Sequence, residues 1–402
     1  MKTKKKWGLI PKLAIGIFVG IILGLVVNQS VMAIIGTIKT LLGSLIFFIV
    51  PLVIFGFVTP AIAGLKDNAS KMLGTFLGLS YLSAVGASIF SAMAGYTIIP
   101  FLHISNKANV LKVMPKPTFA LDIPPVMPVM TALVLAILVG LAVVWTKSET
   151  MDKLLTEIQS MILSIVTKVV IPILPFFIAT TFAGLAYTGT ITKQLPVFIK
   201  IVGIVIIGHL IWLTVLYLIA GGLSKKNPWE VVKHYGPAYL TAMGTMSSAA
   251  TLPVALECAH KSKVLPKQVV NFAIPLGATT HLCGSVLTET FFCMAISQML
   301  YGHLPALGTI LIFSLLFGIF AVGAPGVPGG TVMASLAIVI SVLGFNNDGV
   351  GLLIAIFAIQ DSFGTACNIT GDGALALMLR GIFFDKDGNS KKSKVAKSVK
   401  AA

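Results

Sequence analysis

The sequence predicts an all-α polytopic membrane protein, with eight transmembrane helices and two re-entrant helical hairpins that dip into the membrane and turn back. Three observations carry that expectation. Of 402 residues, 56% are hydrophobic and 10% charged, with a mean hydropathy of +0.98, whereas soluble domains carry about 25% charged residues. The apolar residues fall into runs long enough to cross a bilayer. Two of those runs are broken midway by residues that cannot continue a helix. The composition excludes a water-soluble enzyme, a nucleic-acid binder and a disordered scaffold.

The elements follow in chain order. Lys2, Lys4, Lys5 and Lys6 precede Trp7 and an apolar run, Leu9 to Val27, interrupted only by Lys12. A cleaved leader would have a shorter apolar core and a small-residue cleavage site, so this run is expected to be the first spanning helix. Runs near Ile34–Leu65, Leu73–Leu102, Val129–Trp145, Met161–Leu185, Leu195–Leu223, Val269–Leu300 and Leu352–Phe384 complete the eight. The stretch Tyr235–Ala259 is broken at Ser247-Ser248-Ala249-Ala250-Thr251-Leu252-Pro253. The stretch Leu307–Leu343 is broken at Gly323-Ala324-Pro325-Gly326-Val327-Pro328-Gly329-Gly330. Glycine and proline at that density stop a helix. Non-helical backbone survives in a bilayer only where protein or a water-filled cavity satisfies it, hence the two hairpins. The chain divides into helices 1 and 2 (1–70), helix 3 (71–102), helices 4 and 5 (103–190), helix 6 (191–228), the first hairpin (229–262), an unwound helix 7 (263–304), the second hairpin (305–345), helix 8 (346–384) and a Lys-rich tail (385–402).

The formal net charge of +16 comes from 29 basic side chains, of which one is an arginine, Arg380. The lysines cluster at the ends of apolar runs: Lys66 and Lys71; Lys147 and Lys153; Lys225, Lys226 and Lys233; Lys261, Lys263 and Lys267; and the tail from Lys386 to Lys400. The other side holds Lys107, Lys112 and Lys116. Cytoplasmic loops accumulate Lys and Arg, so both termini are expected in the cytoplasm and the chain in a cell membrane. Cys258, Cys283, Cys293 and Cys367 show no CxxC spacing and read as core residues rather than a disulfide framework or zinc site. No GxxxxGK[ST], GxSxG or HExxH occurs, so ATP hydrolysis and common hydrolase chemistry lack their motifs. No resident cofactor is expected.

Three carboxylates, Glu289, Asp361 and Asp372, lie inside apolar spans. A carboxylate at a helix centre costs about 2.5–3.5 kcal/mol on insertion, so its default reading is functional. Asp361, Thr365, Asn368 and Asp372 recur at i, i+4, i+7 and i+11, within an arc of about 60° on a helix. Such a stripe suits a cation bound by hard oxygens and an ammonium group. In the span before the second hairpin, Gly277, Thr279, Thr280, His281, Gly284 and Ser285 imply an unwound midsection whose carbonyls could coordinate Na⁺. Arg380 sits beyond Asp372 towards the helix end, where it reads as a charge anchor. The proposed cavity then holds no guanidinium, the group best shaped to grip a side-chain carboxylate. That favours a zwitterionic neutral amino acid, its ammonium on Asp361 and its carboxylate on Asn368, helix N-termini and hairpin amides.

These motifs resemble the dicarboxylate/amino acid:cation symporter family, most closely its bacterial sodium/serine-threonine branch. Ser247-Ser248 with Thr251-Leu252-Pro253 resembles the first hairpin's tip, and Gly277-Ala278-Thr279 the unwound seventh helix. Gly326-Val327-Pro328-Gly329 resembles the second tip, and Asp361, Thr365, Asn368 and Asp372 the eighth-helix pattern. The resemblance implies a homotrimer with an elevator-type fold, in which helices 1, 2, 4 and 5 form a scaffold and the rest a moving transport unit. It implies that Asp361 and Thr365 bind the substrate ammonium. Asn368, Ser248 and the backbone at Val327 and Gly329 would bind its carboxylate, with Ser247 and Gly364 lining the same site. One Na⁺ would meet Asp372 and the carbonyls of Gly277, His281 and Asn368; a second would lie between Thr279 and Ala324.

Departures from the family pattern sharpen the reading. Gly364 stands where acidic-substrate members have arginine, and Met246 where some have a first-hairpin arginine. His281-Leu282-Cys283-Gly284 replaces the common Asn-Met-Asp-Gly, leaving Ser83 of helix 3 as the remnant of a third Na⁺ site. Glu289 falls where some animal members carry a proton-linked glutamate, so H⁺ is a second candidate coupling ion. The expectation is a Na⁺-coupled importer of small neutral amino acids, serine or threonine first. The alternative is a Na⁺- or H⁺-coupled carrier of dicarboxylates, aspartate or glutamate. A membrane enzyme using Glu289, Cys283 and His281 would turn over a compound without a gradient, and a channel would pass ions without concentrative uptake.

Overall fold

The computed structural model describes residues 9–63, 70–102, 104, 114–119, 121, 123–326 and 328–384. Among them the regular structure is helical. Val327, Lys66, Lys107, Lys112 and the lysine tail from 385 onwards, all named above, lie outside the described residues.

Helix α1 (Leu9–Val26) packs along α6 (Ile171–Tyr187) through a row of glycines. A Cβ on Gly16, Gly20 or Gly24 would stand 2.6, 2.2 or 2.1 Å from the carbonyl oxygen of Pro175, Ala179 or Ala183. Both series advance by four residues, so the two backbones run in direct contact. Without a hydrophobic driving force between helices in lipid, close approach over small residues is what associates them. Helix α2 (Gln29–Ala63) carries Pro51 and Pro60 internally, and packs on α4 (Val129–Thr146), α5 (Glu149–Ile165) and α6.

The fifth expected span begins earlier than the apolar run. Ser148 accepts the Met151 N–H at 3.3 Å, and Glu149 and Asp152 lie in the first turn of α5. A capping hydroxyl and acidic residues at a helix N-terminus extend it. A π-helical turn, Val166–Val170, joins α5 to α6. Pro172, two residues on, has no N–H and crowds the carbonyl four residues back, which a widened turn relieves. Lys147 and Lys225 end α4 and α7 (Thr190–Ser224) in the left-handed conformation, φ 50° and 53°. Their positive charges favour a helix C-terminus.

A second group of helices surrounds α15 (Asn347–Phe383), which is buried along most of its 37 residues. Around it pack α7, α9 (Gly236–Thr245), α11 (Lys267–Thr280) and α12 (Cys283–Tyr301), while α3 (Ser70–Ile98) covers α12 and α13 (Leu307–Gly323). A short turn, α8 (Trp229–Val232), precedes α9. Arg380, expected as a charge anchor at the helix end, is instead 3% exposed, and its Nη1 donates to the Ser224 carbonyl at the end of α7 at 3.1 Å. The partner is an orphan helix-terminal carbonyl, which a buried cation satisfies well.

By length and hydropathy, four described stretches could cross a membrane: Lys71–Leu102, Ile199–Ser224, Lys267–Tyr301 and Asn347–Phe383. Shorter apolar helices, Ile15–Val26, Gln29–Leu45, Val134–Thr146 and Pro175–Tyr187, stand at the expected first, second, fourth and fifth spans. The hairpins have arms of 10 and 13 residues, α9 and α10 (Ser248–His260), and of 17 and 12, α13 and α14 (Gly330–Ser341). At 1.5 Å per residue no arm reaches the roughly 30 Å of a hydrocarbon core.

Candidate functional site

The stripe on α15 is buried throughout, Asp361 and Thr365 at 4% exposure, Asn368 at 1% and Asp372 at 0%. Each member meets a different break in the surrounding helices. Asp361 Oδ2 accepts the Gly329 N–H at 2.8 Å, and its Oδ1 accepts the Thr365 hydroxyl at 3.3 Å. Gly329 begins α14 with φ 71°, a conformation that favours glycine. The carboxylate thus binds the second hairpin's tip to α15 and keeps lone pairs for a further donor.

One helical turn further on, Asn368 Oδ1 accepts the backbone N–H groups of Gly284 and Ser285 at 2.8 and 3.2 Å. Its Nδ2 donates to Ser285 Oγ at 2.9 Å. These are first-turn amides of α12, which a helix start leaves without partners. Asn368 therefore caps α12, and one N–H of its Nδ2 remains to offer an anion. Gly284 fits only as glycine: a Cβ there would stand 2.4 Å from Cys367 Cβ and 2.5 Å from the Gly364 carbonyl. Gly364 itself faces α12, where a Cβ would lie 3.3 Å from Ser285 Cα and Oγ.

Between α11 and α12 the chain leaves the helix at His281 (φ −118°, ψ 99°) and Leu282 (φ −119°, ψ 39°). The unwound midsection expected from the glycines is confined to these two residues. The His281 ring, 0% exposed, bridges two other helices: Nε2 lies 2.8 Å from Ser83 Oγ on α3, and Nδ1 3.0 Å from Asp372 Oδ1 on α15. Asp372 Oδ2 is buried with no partner among the described residues. A Cβ on Gly277 would stand 2.6 Å from Asp372 Oδ1, so α11 backbone lies against the carboxylate. The Gly277 carbonyl accepts the His281 N–H at 2.9 Å and keeps a second lone pair. A buried carboxylate oxygen without a donor is costly, and carboxylate and carbonyl oxygens are the donors a hard cation takes.

The hairpin tips meet. Ser247 caps α10, accepting the Ala250 N–H at 3.2 Å, and its hydroxyl donates to the Gly326 carbonyl at 2.8 Å. The Ala249 N–H reaches the same carbonyl at 3.3 Å. Ser248 is buried next to it. Met246 ends α9 in the left-handed region, φ 51°, and is 5% exposed. A Cβ on Gly326 would stand 2.6 Å from the Ala278 carbonyl, so the second tip also presses on α11. Thr279 is exposed and spends its hydroxyl on Leu276 O at 2.9 Å, and Ala324 is buried at the start of the second break.

Glu289 lies fully buried on α12, one oxygen taking the Ser335 hydroxyl of α14, the other without a partner among the described residues. Sequence reading missed Ser335 and the bond between Ser285 and Asn368: both serines lie in apolar or small-residue helices, and their partners lie 46 and 83 residues away. It also passed over His209, whose Nε2 lies 3.0 Å from Gly284 O and 2.9 Å from Thr288 Oγ1. Its position in a long apolar run was the available signal.

Comparison with known proteins places this geometry in context. A family model described as Sodium:dicarboxylate symporter family matches residues 9–382. The chain is 26% identical to Serine/threonine transporter SstT of Streptococcus agalactiae serotype III (strain NEM316), over 92% of its length and 95% of that protein's. It is 32% identical over 197 residues to Excitatory amino acid transporter 1 of Ambystoma tigrinum, and 31% over 229 residues to Excitatory amino acid transporter 2 of Mus musculus. Those matches cover 49% and 55% of this chain but only 36% and 39% of the animal proteins.

Proposed function

Because the chain belongs to the sodium:dicarboxylate symporter family, and is a membrane transporter rather than an enzyme, we propose that it imports small neutral amino acids, serine or threonine first, in symport with Na⁺. The observation that carries this reading is the pairing of two buried carboxylates, Asp361 and Asp372, with no arginine on the stripe between them. Asp361 takes the substrate ammonium, with Thr365 beside it. The remaining Asn368 N–H, Ser248 and the backbone at Val327 take its carboxylate, joined by the Gly329 N–H once substrate draws it from Asp361, and Ser247 lines the same site. Gly364 leaves nothing cationic for a second carboxylate. The similarity to a serine/threonine transporter over most of both chains supports the same choice.

Na⁺ is cargo in this scheme. Asp372 Oδ2 and the carbonyls of Gly277, His281 and Asn368 hold one ion, and a second lies between Thr279 and the second hairpin near Ala324. Each Na⁺ moved down a potential of about 100 mV contributes about 2.3 kcal/mol before its concentration gradient is counted, enough to concentrate substrate without ATP. Movement is by an elevator displacement of the helices around α15 against those around α2, in a homotrimer in the plasma membrane with both termini cytoplasmic. Contacts within each helix group support that division. Glu289, buried beside Ser335, is the place for a coupling proton if one is carried.

The test is uptake of labelled serine, threonine, alanine, aspartate and succinate into proteoliposomes under inward Na⁺, inward H⁺ or no gradient. Concentrative, Na⁺-requiring serine or threonine uptake is expected. Uptake confined to aspartate or succinate would transfer the assignment to the acidic-substrate reading.

A further inference from the structure

The His281 ring joins α3, the α11–α12 break and α15. Two features of the geometry set its role. The ring occupies Asp372 Oδ1 from one side while Oδ2 stays buried with no partner among the described residues. Its other nitrogen is held by Ser83, so the ring is fixed from both ends. Gly371 is the space it needs: a Cβ there would stand 2.8 Å from His281 Cε1 and 3.3 Å from Cys283 Sγ.

We infer that His281 is a positioning residue for Na⁺, holding Asp372 by Oδ1 so that Oδ2 alone is presented to the ion, and that Ser83 is the anchor of that bridge. An ionised carboxylate only accepts, so Nδ1 carries the hydrogen in this bond and Ser83 can either donate to Nε2 or accept from it. The arrangement works in either case and needs no change in protonation. It is the outer-shell pattern in which a second group orients a metal-ligating carboxylate, whose loss lowers metal affinity about 10- to 100-fold. The bridge also places α3 and α15 on either side of one ring, so Na⁺ bound at Asp372 is felt at Ser83. The inference rests on the reading above that Asp372 ligates Na⁺.

The test is Na⁺ titration of the purified full-length protein, followed by thermal unfolding without substrate, for the wild type, His281→Leu, His281→Gln and Ser83→Ala. Serine KM at saturating Na⁺ is measured in proteoliposomes in parallel. His281→Leu should raise the half-saturating Na⁺ about tenfold or more with little change in serine KM. Ser83→Ala, a milder change that keeps the ring, should raise it less. His281→Gln, which can still donate to Asp372, should recover most of the loss. Unchanged Na⁺ dependence in both His281→Leu and Ser83→Ala would overturn the inference. So would Na⁺ and serine constants worsening together, since that marks general damage. A wild type without any Na⁺-dependent shift would instead bring down the Na⁺ reading at Asp372, and this inference with it.

Discussion

Ser247 donates its hydroxyl to the carbonyl of Gly326 at 2.8 Å, a bond between residues 79 apart that ties the tip of one hairpin to the tip of the other. The same serine caps α10 through the Ala250 N–H. The two breaks that interrupt the apolar runs therefore meet, and Gly329 ties them to the α15 stripe; in the proposed scheme substrate parts them to enter or leave.

Removing that hydroxyl should make parting easier. An intramolecular hydrogen bond contributes about 1 kcal/mol, so Ser247→Ala is expected to speed dissociation of labelled serine about fivefold. Ser247→Thr, which keeps the hydroxyl, should stay near the wild-type rate. Equal rates in all three proteins would show that the tips are held by other contacts.

Asp361 is the proposed ammonium partner, and its neutral isostere keeps its shape. Hydrogen bonds to charged groups contribute about 1.5–3 kcal/mol, so Asp361→Asn should weaken serine binding about 10- to 100-fold at saturating Na⁺. The melting temperature should not fall, because the amide oxygen can still accept from Gly329 or Thr365. Equilibrium binding of labelled serine alongside thermal unfolding separates the two effects.

Gly364 faces Ser285 at close range, which bears on substrate choice. Gly364→Arg would place a guanidinium beside the stripe while pushing Ser285 and the start of α12 aside. Serine uptake is expected to fall and aspartate binding to rise from nothing. The double variant with Ser285→Ala, which frees space, should show the gain more clearly. Competition of labelled serine by aspartate reads the switch.

The glycine row of α1 is predicted to matter for assembly rather than transport chemistry. A Cβ on Gly20 would stand 2.2 Å from the Ala179 carbonyl, so Gly20→Val must separate α1 from α6. Overpacking of this kind costs about 1–3 kcal/mol, visible as a lower unfolding temperature in detergent. Gly203→Ala on α7, with nothing within 4 Å of the new carbon, should leave the temperature unchanged or slightly raised.

Hydropathy and helix breakers made much of this architecture legible, because a bilayer forces apolar length and internal hydrogen bonding onto every span. The position of α13–α14 follows from Gly323–Gly330 for that reason, whereas the break between α9 and α10 is confined to Met246 and Ser247, and Ser248–Pro253, expected within it, are helical. The stripe from Asp361 to Asp372 was legible because helical periodicity alone puts those side chains on one face. The start of α5 at Glu149 was not, since an amphipathic, charged helix shows no apolar run. Nor were the Asn368 cap on α12 and the His281 bridge from Ser83 to Asp372. Both join residues 83 to 198 apart, and tertiary packing sets such contacts. The burial of Arg380 escaped notice because its partner is a backbone carbonyl, which every sequence supplies.

The most direct measurement is equilibrium binding of labelled serine to the purified protein at rising Na⁺, with aspartate and succinate as competitors and Asp361→Asn and Asp372→Asn alongside. The account predicts serine binding that requires Na⁺ and resists both acidic competitors. It predicts that binding weakens directly in Asp361→Asn, and through a raised Na⁺ requirement in Asp372→Asn. Serine binding independent of Na⁺, or displacement of serine by aspartate at equal concentration, would contradict it.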